Sequence, residues 1–279
     1  MAYEELSAVA VAAARRGGEV LLRHFGGADL AVEEKAKNDF VSRADRESEE
    51  AVVGAIAAAF PDHEVLAEEG GGRGDAGDWR WIVDPLDGTT NYLRGVPYWC
   101  VSVACQERGR TMAAVVLDPL RDDLFVAVRG GGATRNGEPI RVGGQALEGA
   151  VLATGFPFKA HPALDRYLAM FRDVFVAARA IRRCGAAALD LAYTAAGIYD
   201  GFFEFRLAPW DVAAGSLLIE EAGGRVVDLD GGDEWLWAGN VVAGTAPVVE
   251  GLLAIAGRHA DEATLDALVP RAMADPRRG

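Results

Sequence analysis

The chain of 279 residues has three cysteines, four histidines and three lysines against 25 arginines. Each shortage excludes something. Three cysteines are too few, and odd in number, for a disulfide framework. Cys100 and Cys105 sit five apart in a predicted strand, so their side chains face opposite sides and cannot clamp one metal ion. They read as small buried hydrophobes of a reducing compartment, and the expected location is cytoplasmic. No run approaches the roughly 18 apolar residues of a membrane-spanning helix. The start, Met1-Ala2-Tyr3-Glu4-Glu5, puts acids where a secretory leader wants cations. Basic residues are outnumbered 28 to 42, for a formal charge of −14, which argues against nucleic acid and anionic membrane as partners. An anionic small molecule could be handled only where something local reverses that field.

What is present is a globular composition, 51% apolar and 25% charged. Apolar spacing predicts helices over 4–25 and 42–59, the second with Ser42 as N-cap. Strands follow at 64–67, 79–83, 99–106, 110–117, 124–128 and 140–142, joined by Gly- and Asp-rich turns, and read as an antiparallel meander. Beyond residue 150 strands and helices alternate: strands at 151–154, 180–183, 201–205, 225–227 and 240–243, helices at 162–177, 187–196, 212–222 and 246–257. The expected organisation is an N-terminal α+β half, 1–148, carrying the meander, and a C-terminal α/β half, 149–279, in contact with it.

The chemistry concentrates in Trp81-Ile82-Val83-Asp84-Pro85-Leu86-Asp87-Gly88-Thr89-Thr90-Asn91-Tyr92. An apolar strand runs into two acids three apart, then into Gly-Thr-Thr. Pro85 and Gly88 force a tight turn on which Asp84 and Asp87 can converge. Thr89-Thr90 open a short helix whose free N–H groups suit a phosphate. Paired carboxylates beside a phosphate suit Mg²⁺, a hard cation. A second acidic pair, Glu68-Glu69, follows the strand 64–67; alone it reads as a solvated turn, and its value comes from the company of the other acids. Asp211, in Pro209-Trp210-Asp211, reads as a helix N-cap or as a carboxylate reaching a metal. An aspartyl nucleophile of the Asp-x-Asp-x-Thr type is disfavoured, because its position falls on Pro85. None of His24, His63, His161 and His259 lies in a motif, which disfavours a histidine nucleophile or a zinc site.

These strings resemble the inositol monophosphatase family, whose two signatures match Trp81–Tyr92 and Trp210–Gly215. Asp45, Glu68-Glu69 and Cys184–Asp190 fall in family order and spacing. The resemblance implies a five-layered αβαβα sandwich of the sugar-phosphatase type, intermediate between α+β and α/β, assembled as a homodimer. It implies two or three Mg²⁺ ions on Glu68, Asp84, the Leu86 carbonyl, Asp87 and Asp211. Catalysis would rest on Asp45, Thr89 and Glu68, and substrate contacts on Asp87, Gly88, Thr89, Arg182, Gly185, Ala187, Glu204 and Asp211. The implied reaction is lithium-sensitive hydrolysis of a small phosphate monoester, myo-inositol monophosphate foremost, by activated water without a covalent intermediate. Fructose 1,6-bisphosphate, NADP and histidinol phosphate are alternative substrates on the same fold, and a non-catalytic protein-binding module is a further alternative. Two positions depart from the pattern: Ala186 stands where Ser or Thr is usual, and Arg43 where Thr or a small residue is commoner. The metal ions would also resolve the charge puzzle, since +4 to +6 gathered on five acids makes an acidic protein locally hospitable to phosphate.

Overall fold

The structure, a computed structural model, describes residues 3–27, 30–36, 39–70, 73–74, 77–156 and 164–259. Two long helices open the chain, α1 (Tyr3–His24) and α2 (Arg43–Ala59). Between them lies a small antiparallel ribbon, β1 (Glu33–Ala36) and β2 (Asp39–Val41). The sequence reading did not anticipate this ribbon. Ser42 is the N-cap of α2: its hydroxyl accepts from the Ala44 amide, while Asp45 at the third helical position accepts from the Ser42 amide at 2.8 Å. This reciprocal pairing satisfies free helix N–H groups and sets where α2 starts.

A seven-stranded sheet follows in chain order: β3 (Glu64–Ala67), β4 (Trp79–Asp87), β5 (Cys100–Glu107), β6 (Arg110–Asp118), β7 (Asp123–Val128), β8 (Gly132–Arg135) and β9 (Glu138–Pro139). From β4 onward it is the expected antiparallel meander, but β3 pairs parallel to β4. The strand expected at 140–142 does not form. Ile140 instead donates to the Ala133 carbonyl and Val142 to Ala222, so this segment leaves the sheet to meet the second half. The short helix α3 (Thr89–Leu93) springs from the end of β4.

The second sheet, ordered β11-β10-β12-β14-β13, comprises β10 (Val151–Thr154), β11 (Ala180–Arg182), β12 (Gly201–Glu204), β13 (Arg225–Val227) and β14 (Val241–Gly244). Its helices are α4 (Leu164–Ala177), α5 (Ala187–Ala195), α6 (Pro209–Glu221), α7 (Trp235–Ala238) and α8 (Ala246–Ala256). The expected start of α4 at 162–163 lies outside the described residues. Helix α6 begins three residues before its expected start, with Pro209 in the first turn, where its missing N–H is not needed.

Three apolar cores define five layers. One joins α1 and α2 to a face of the large sheet through Leu6, Ile56, Trp81, Val101 and Val103. The second fills the space between the sheets around α5 and α6. The third lies beyond the small sheet, against α4 and α8, with Leu152, Phe203 and Leu252. The order is therefore αβαβα. Strand β5 shows why: Val101, Val103 and Cys105 enter the first core while Cys100 and Ala104 enter the second, the two-residue period of a strand buried on both faces. The two cysteines face opposite sides, as the spacing predicts. Among the described residues no helix is long and apolar enough to cross a membrane.

Candidate metal and phosphate site

The site forms where β4 ends. In a regular strand, residues three apart point to opposite faces. Here Asp84 pairs with Ser102 but Asp87 with Cys100, so β4 carries one extra residue across the same span. That bulge turns the two carboxylates toward one side. Ser48 of α2 donates to the Pro85 carbonyl at 2.9 Å and holds the bulge against the first helical layer. The Leu86 amide donates to Asp84 Oδ1 at 2.9 Å. Gly88 then takes φ 92°, and a β-carbon there would stand 3.0 Å from the Tyr98 carbonyl oxygen. A glycine is required by both the dihedral and the space.

The third carboxylate arrives from the middle layer. Asp211 is the third residue of α6, and its Oδ2 accepts from the Ala208 amide at 2.7 Å. Asp84, Asp87 and Asp211 each present one oxygen, and these three oxygens lie within 4.8 Å of one another. Asp87 Oδ2 also accepts from the Ala188 amide at 2.7 Å, in the first turn of α5. Two middle-layer helices thus begin at this point and turn their N-terminal ends toward the acids.

Around this trio the structure places the other expected residues. Asp45 Oδ1 accepts from the Thr89 hydroxyl at 3.1 Å, and that hydroxyl lies equally 3.1 Å from the Leu86 carbonyl. Glu68 follows β3; its carboxylate lies 3.3 Å from Lys35 of β1, which also contacts Glu69 at 2.8 Å. Glu204 ends β12 and packs against Gly155, where any β-carbon would collide with its carboxylate. Ala187 opens α5, and Gly185 precedes it at φ 94°. Arg182 is not brought in. It is exposed, and its guanidinium donates to the adjacent Ile181 carbonyl. Its neighbour Arg183, which the sequence reading passed over, lies over the Phe156 ring and within reach of Gly185.

So many carboxylates in one place shift one another's protons. Burial, with Glu68, Asp87 and Asp211 adding repulsion, pushes Asp84 well above the usual carboxylate range. Burial raises Glu68 to about 8, opposed by Lys35 and reinforced by Asp211. Asp87 rises to about 6, burial being countered by the Ala188 amide. Asp45 is raised by burial against the hydrogen bonds of Ser42 and Thr89. Glu204 is raised well above normal by burial and by Asp190, with Arg183 opposing. Such a set, oxygen-only, clustered and like-charged, fits a hard divalent cation and fits little else.

The histidines stay out of this chemistry. His24 contacts Glu47 at 2.7 Å, His259 contacts Asp173 at 2.9 Å, and His63 is buried in a stack with Phe60 and Trp79. His161 lies outside the described residues. A cavity of about 700 Å³ lined by Gln106, Arg108, Arg129 and Trp235 opens at the opposite end of β4. Two of its arginines are paired, Arg108 with Asp78 and Arg129 with Glu220, and both signs of charge line it, unlike the like-charged carboxylate centre.

Fold and site together define a layered α+β protein with a carboxylate centre built for divalent cations. Comparison with known proteins narrows the class. The profile of the inositol monophosphatase family matches residues 2–263. Nus factor SuhB of Pseudomonas aeruginosa is 48% identical over 258 residues, covering 90% of this chain and 95% of that protein. The crystal structure of the extragenic suppressor protein suhB from Bartonella henselae superposes with a TM-score of 0.88 at 40% identity, covering 92% of this chain and 100% of that one. An IMPase/NADP phosphatase complexed with Mg²⁺ and phosphate superposes at 0.71 with 27% identity, covering 81% of this chain and 85% of that one. The chain belongs to the inositol monophosphatase family, whose members act on small phosphate monoesters with divalent metal.

Proposed function

We propose that this protein is a Mg²⁺-dependent phosphatase that hydrolyses a small phosphate monoester, myo-inositol monophosphate foremost. The observation that carries the reading is the convergence of Asp84, Asp87 and Asp211 within 4.8 Å, beside the Asp45–Thr89 hydrogen bond. Glu68, Asp84, the Leu86 carbonyl, Asp87 and Asp211 would hold two or three Mg²⁺ ions. When bound, the metal supplies the positive charge that admits a phosphate dianion and lowers the pKa of water. Asp45 orients the Thr89 hydroxyl and offers a carboxylate oxygen to take up a proton passed through it, a role its raised affinity for protons supports. Glu68, whose proton a bound cation would displace, would assist Asp45 by holding the metal and orienting the attacking water. The backbone at Gly88 and Thr89 would bind phosphate. Glu204, Ala187 and Gly185 would line the pocket for the leaving alcohol. Arg182 as a contact draws no support, since its guanidinium is turned to the Ile181 carbonyl, and Arg183, also exposed but close enough to oppose the Glu204 shift, is the better candidate.

The protein is further proposed to act as a homodimer. Helix α4 leaves Leu164, Leu168, Phe175 and Val176 exposed, with Phe156 beside them, an apolar face of the kind that a partner covers. Fructose 1,6-bisphosphate, NADP and histidinol phosphate remain competing substrates. Relative kcat/KM across these phosphates and inositol monophosphate, with and without Mg²⁺, decides among them. Activity that persists with Mg²⁺ chelated would refute the metal reading.

A second reading rests on the Nus factor name of relatives such as that from Pseudomonas aeruginosa: the chain also serves as a Nus factor, through protein contacts rather than hydrolysis. An Asp84→Asn/Asp87→Asn double variant separates the two. Undiminished partner capture by this variant, with no phosphate released by the wild type, would favour the second reading alone.

A further inference from the structure

Asn91 belongs to α3, two residues after Thr89, yet its side chain acts at a distance. Its Nδ2 donates to the Tyr98 carbonyl at 2.8 Å and to the Cys184 carbonyl at 2.9 Å, 93 residues further along the chain. The Gly185 carbonyl stands at 3.5 Å. The close approach is possible because Gly185 has no side chain: a β-carbon there would lie 3.2 Å from the same nitrogen. From Cys184 the chain runs through Gly185 and Ala186 into α5, whose Ala188 amide donates to Asp87 Oδ2 at 2.7 Å. Asp87 in turn leads through Gly88 and Thr89 back to Asn91. The result is a closed ring of covalent chain and two hydrogen bonds. The body of α5 is held by packing against α6, where a β-carbon on Gly215 would meet the Leu191 side chain at 2.4 Å. Its entry segment is packed as well, with Ala186 buried and its β-carbon close to Gly88, and Tyr98 donates to Asp190 in the first turn of α5 at 2.6 Å; Asn91 adds the polar tie at the Cys184 and Gly185 carbonyls. Besides the Ala188 amide, the Asp87 carboxylate has the Ala187 amide of the same entry segment and, on Oδ2, a thiol contact from Cys100 at 3.7 Å, a weak donor.

We propose that Asn91 is a positioning residue that, by tying Cys184–Gly185 to α3, holds the Ala188 amide on Asp87 and so fixes the carboxylate for divalent metal. This inference rests on reading Asp87 as a metal ligand. Loss of an outer group that orients a ligating side chain typically costs about 10- to 100-fold in metal affinity. A single amide that organises two carbonyls belonging to different halves of the chain is well placed to be such a group.

The test is calorimetric Mg²⁺ titration of the full chain, with hydrolysis measured alongside. Asn91→Leu keeps the size and removes both donors without adding charge. Asn91→Ala is the second variant in case the first packs poorly. Leu252→Ala, in the core beyond the small sheet, controls for loss of stability alone. The expected result is about tenfold or greater weakening of Mg²⁺ binding in both Asn91 variants, with a far-ultraviolet circular dichroism spectrum like the wild type's. Leu252→Ala should lower the melting temperature and leave Mg²⁺ affinity unchanged. Mg²⁺ affinity within about twofold of wild type in the Asn91 variants, or equal weakening in Leu252→Ala, would overturn the proposal. Because the readout is binding, a wild type that takes up Mg²⁺ but hydrolyses no phosphate monoester refutes the proposed function and leaves the role of Asn91 decided by the titration.

Discussion

Replacing Asp84 by Asn should make the metal-free protein more stable while removing its response to Mg²⁺. The oxygens of Asp84, Asp87 and Asp211 lie within 4.8 Å of one another. At that separation, an effective dielectric constant of about 20 gives roughly 3 kcal/mol of repulsion per fully ionised pair. Partial protonation reduces this near neutrality, so about 1–3 kcal/mol is the expected gain. The asparagine retains an oxygen to accept from the Leu86 amide. For a chain of this size that gain corresponds to a rise of roughly 2–5 °C in Tm. The pH dependence follows from the direction of the shifts. Asp84, Asp87 and Glu68 all have folded-state pKa values above their ordinary ones, the last two about 6 and 8. The folded chain therefore keeps protons that the unfolded chain releases. Metal-free stability is greatest near pH 4 and declines as pH rises to about 8, by up to about 1.4 kcal/mol per pH unit for each such carboxyl. Mg²⁺ reverses the decline in the wild type, adding about 2.7 kcal/mol at a hundredfold excess over Kd. Thermal unfolding from pH 5 to 8, in chelator and in Mg²⁺, measures all of this. If Asp84→Asn is no more stable than wild type in chelator at pH 8, or if Mg²⁺ protects both proteins alike, the electrostatic account of the site is wrong.

Gly88→Ala places a β-carbon 3.0 Å from the Tyr98 oxygen in a left-handed backbone, which should cost about 2–4 kcal/mol in a calorimetric unfolding experiment; a loss below about 0.5 kcal/mol would contradict the fixed geometry drawn for this turn. Phe175→Glu with Val176→Glu, at positions 65% and 78% exposed, should yield monomers in sedimentation with secondary structure unchanged, and persistence of a dimer would move the interface elsewhere.

The sequence exposed most of the site because its strongest residues sit where backbone punctuation is strongest. Pro85 and Gly88 bracket the turn that gathers Asp84 and Asp87, and Ser42 marks the helix start that presents Asp45. The bulge in β4 was not legible as such, since it depends on the pairing of Asp84 with Ser102 and of Asp87 with Cys100, a fact of register. The ribbon β1–β2 escaped because four residues rich in Glu and Lys carry no strand signal. Lys35, which meets Glu68 and Glu69, was hidden with it. Helix α7, only four residues long, gives no periodicity to read. The parallel pairing of β3 with β4 and the loss of the strand at 140–142 were settled by long-range partners such as Ala222. Asn91 was visible inside its motif, but its partners at Cys184 and Gly185 are distant in sequence. Arg182 and Arg183 are both exposed; Arg183, just past β11, lies over Phe156 and close enough to Glu204 to oppose its upward shift, a tertiary placement that adjacent arginines cannot reveal.

The contact between Gly215 and Leu191 has a mechanical meaning. It locks α5 to α6 so closely that a single methyl group could not be inserted between them, and both helices begin at the carboxylates. Two walls of the site therefore behave as one rigid block. Admission of a substrate cannot come from spreading them. The β1–β2 ribbon meets the acids differently, through the ion pairs of Lys35 with Glu68 and Glu69. A divalent cation held by Glu68 would compete with Lys35 for that carboxylate, so filling the centre and keeping this ion pair oppose one another.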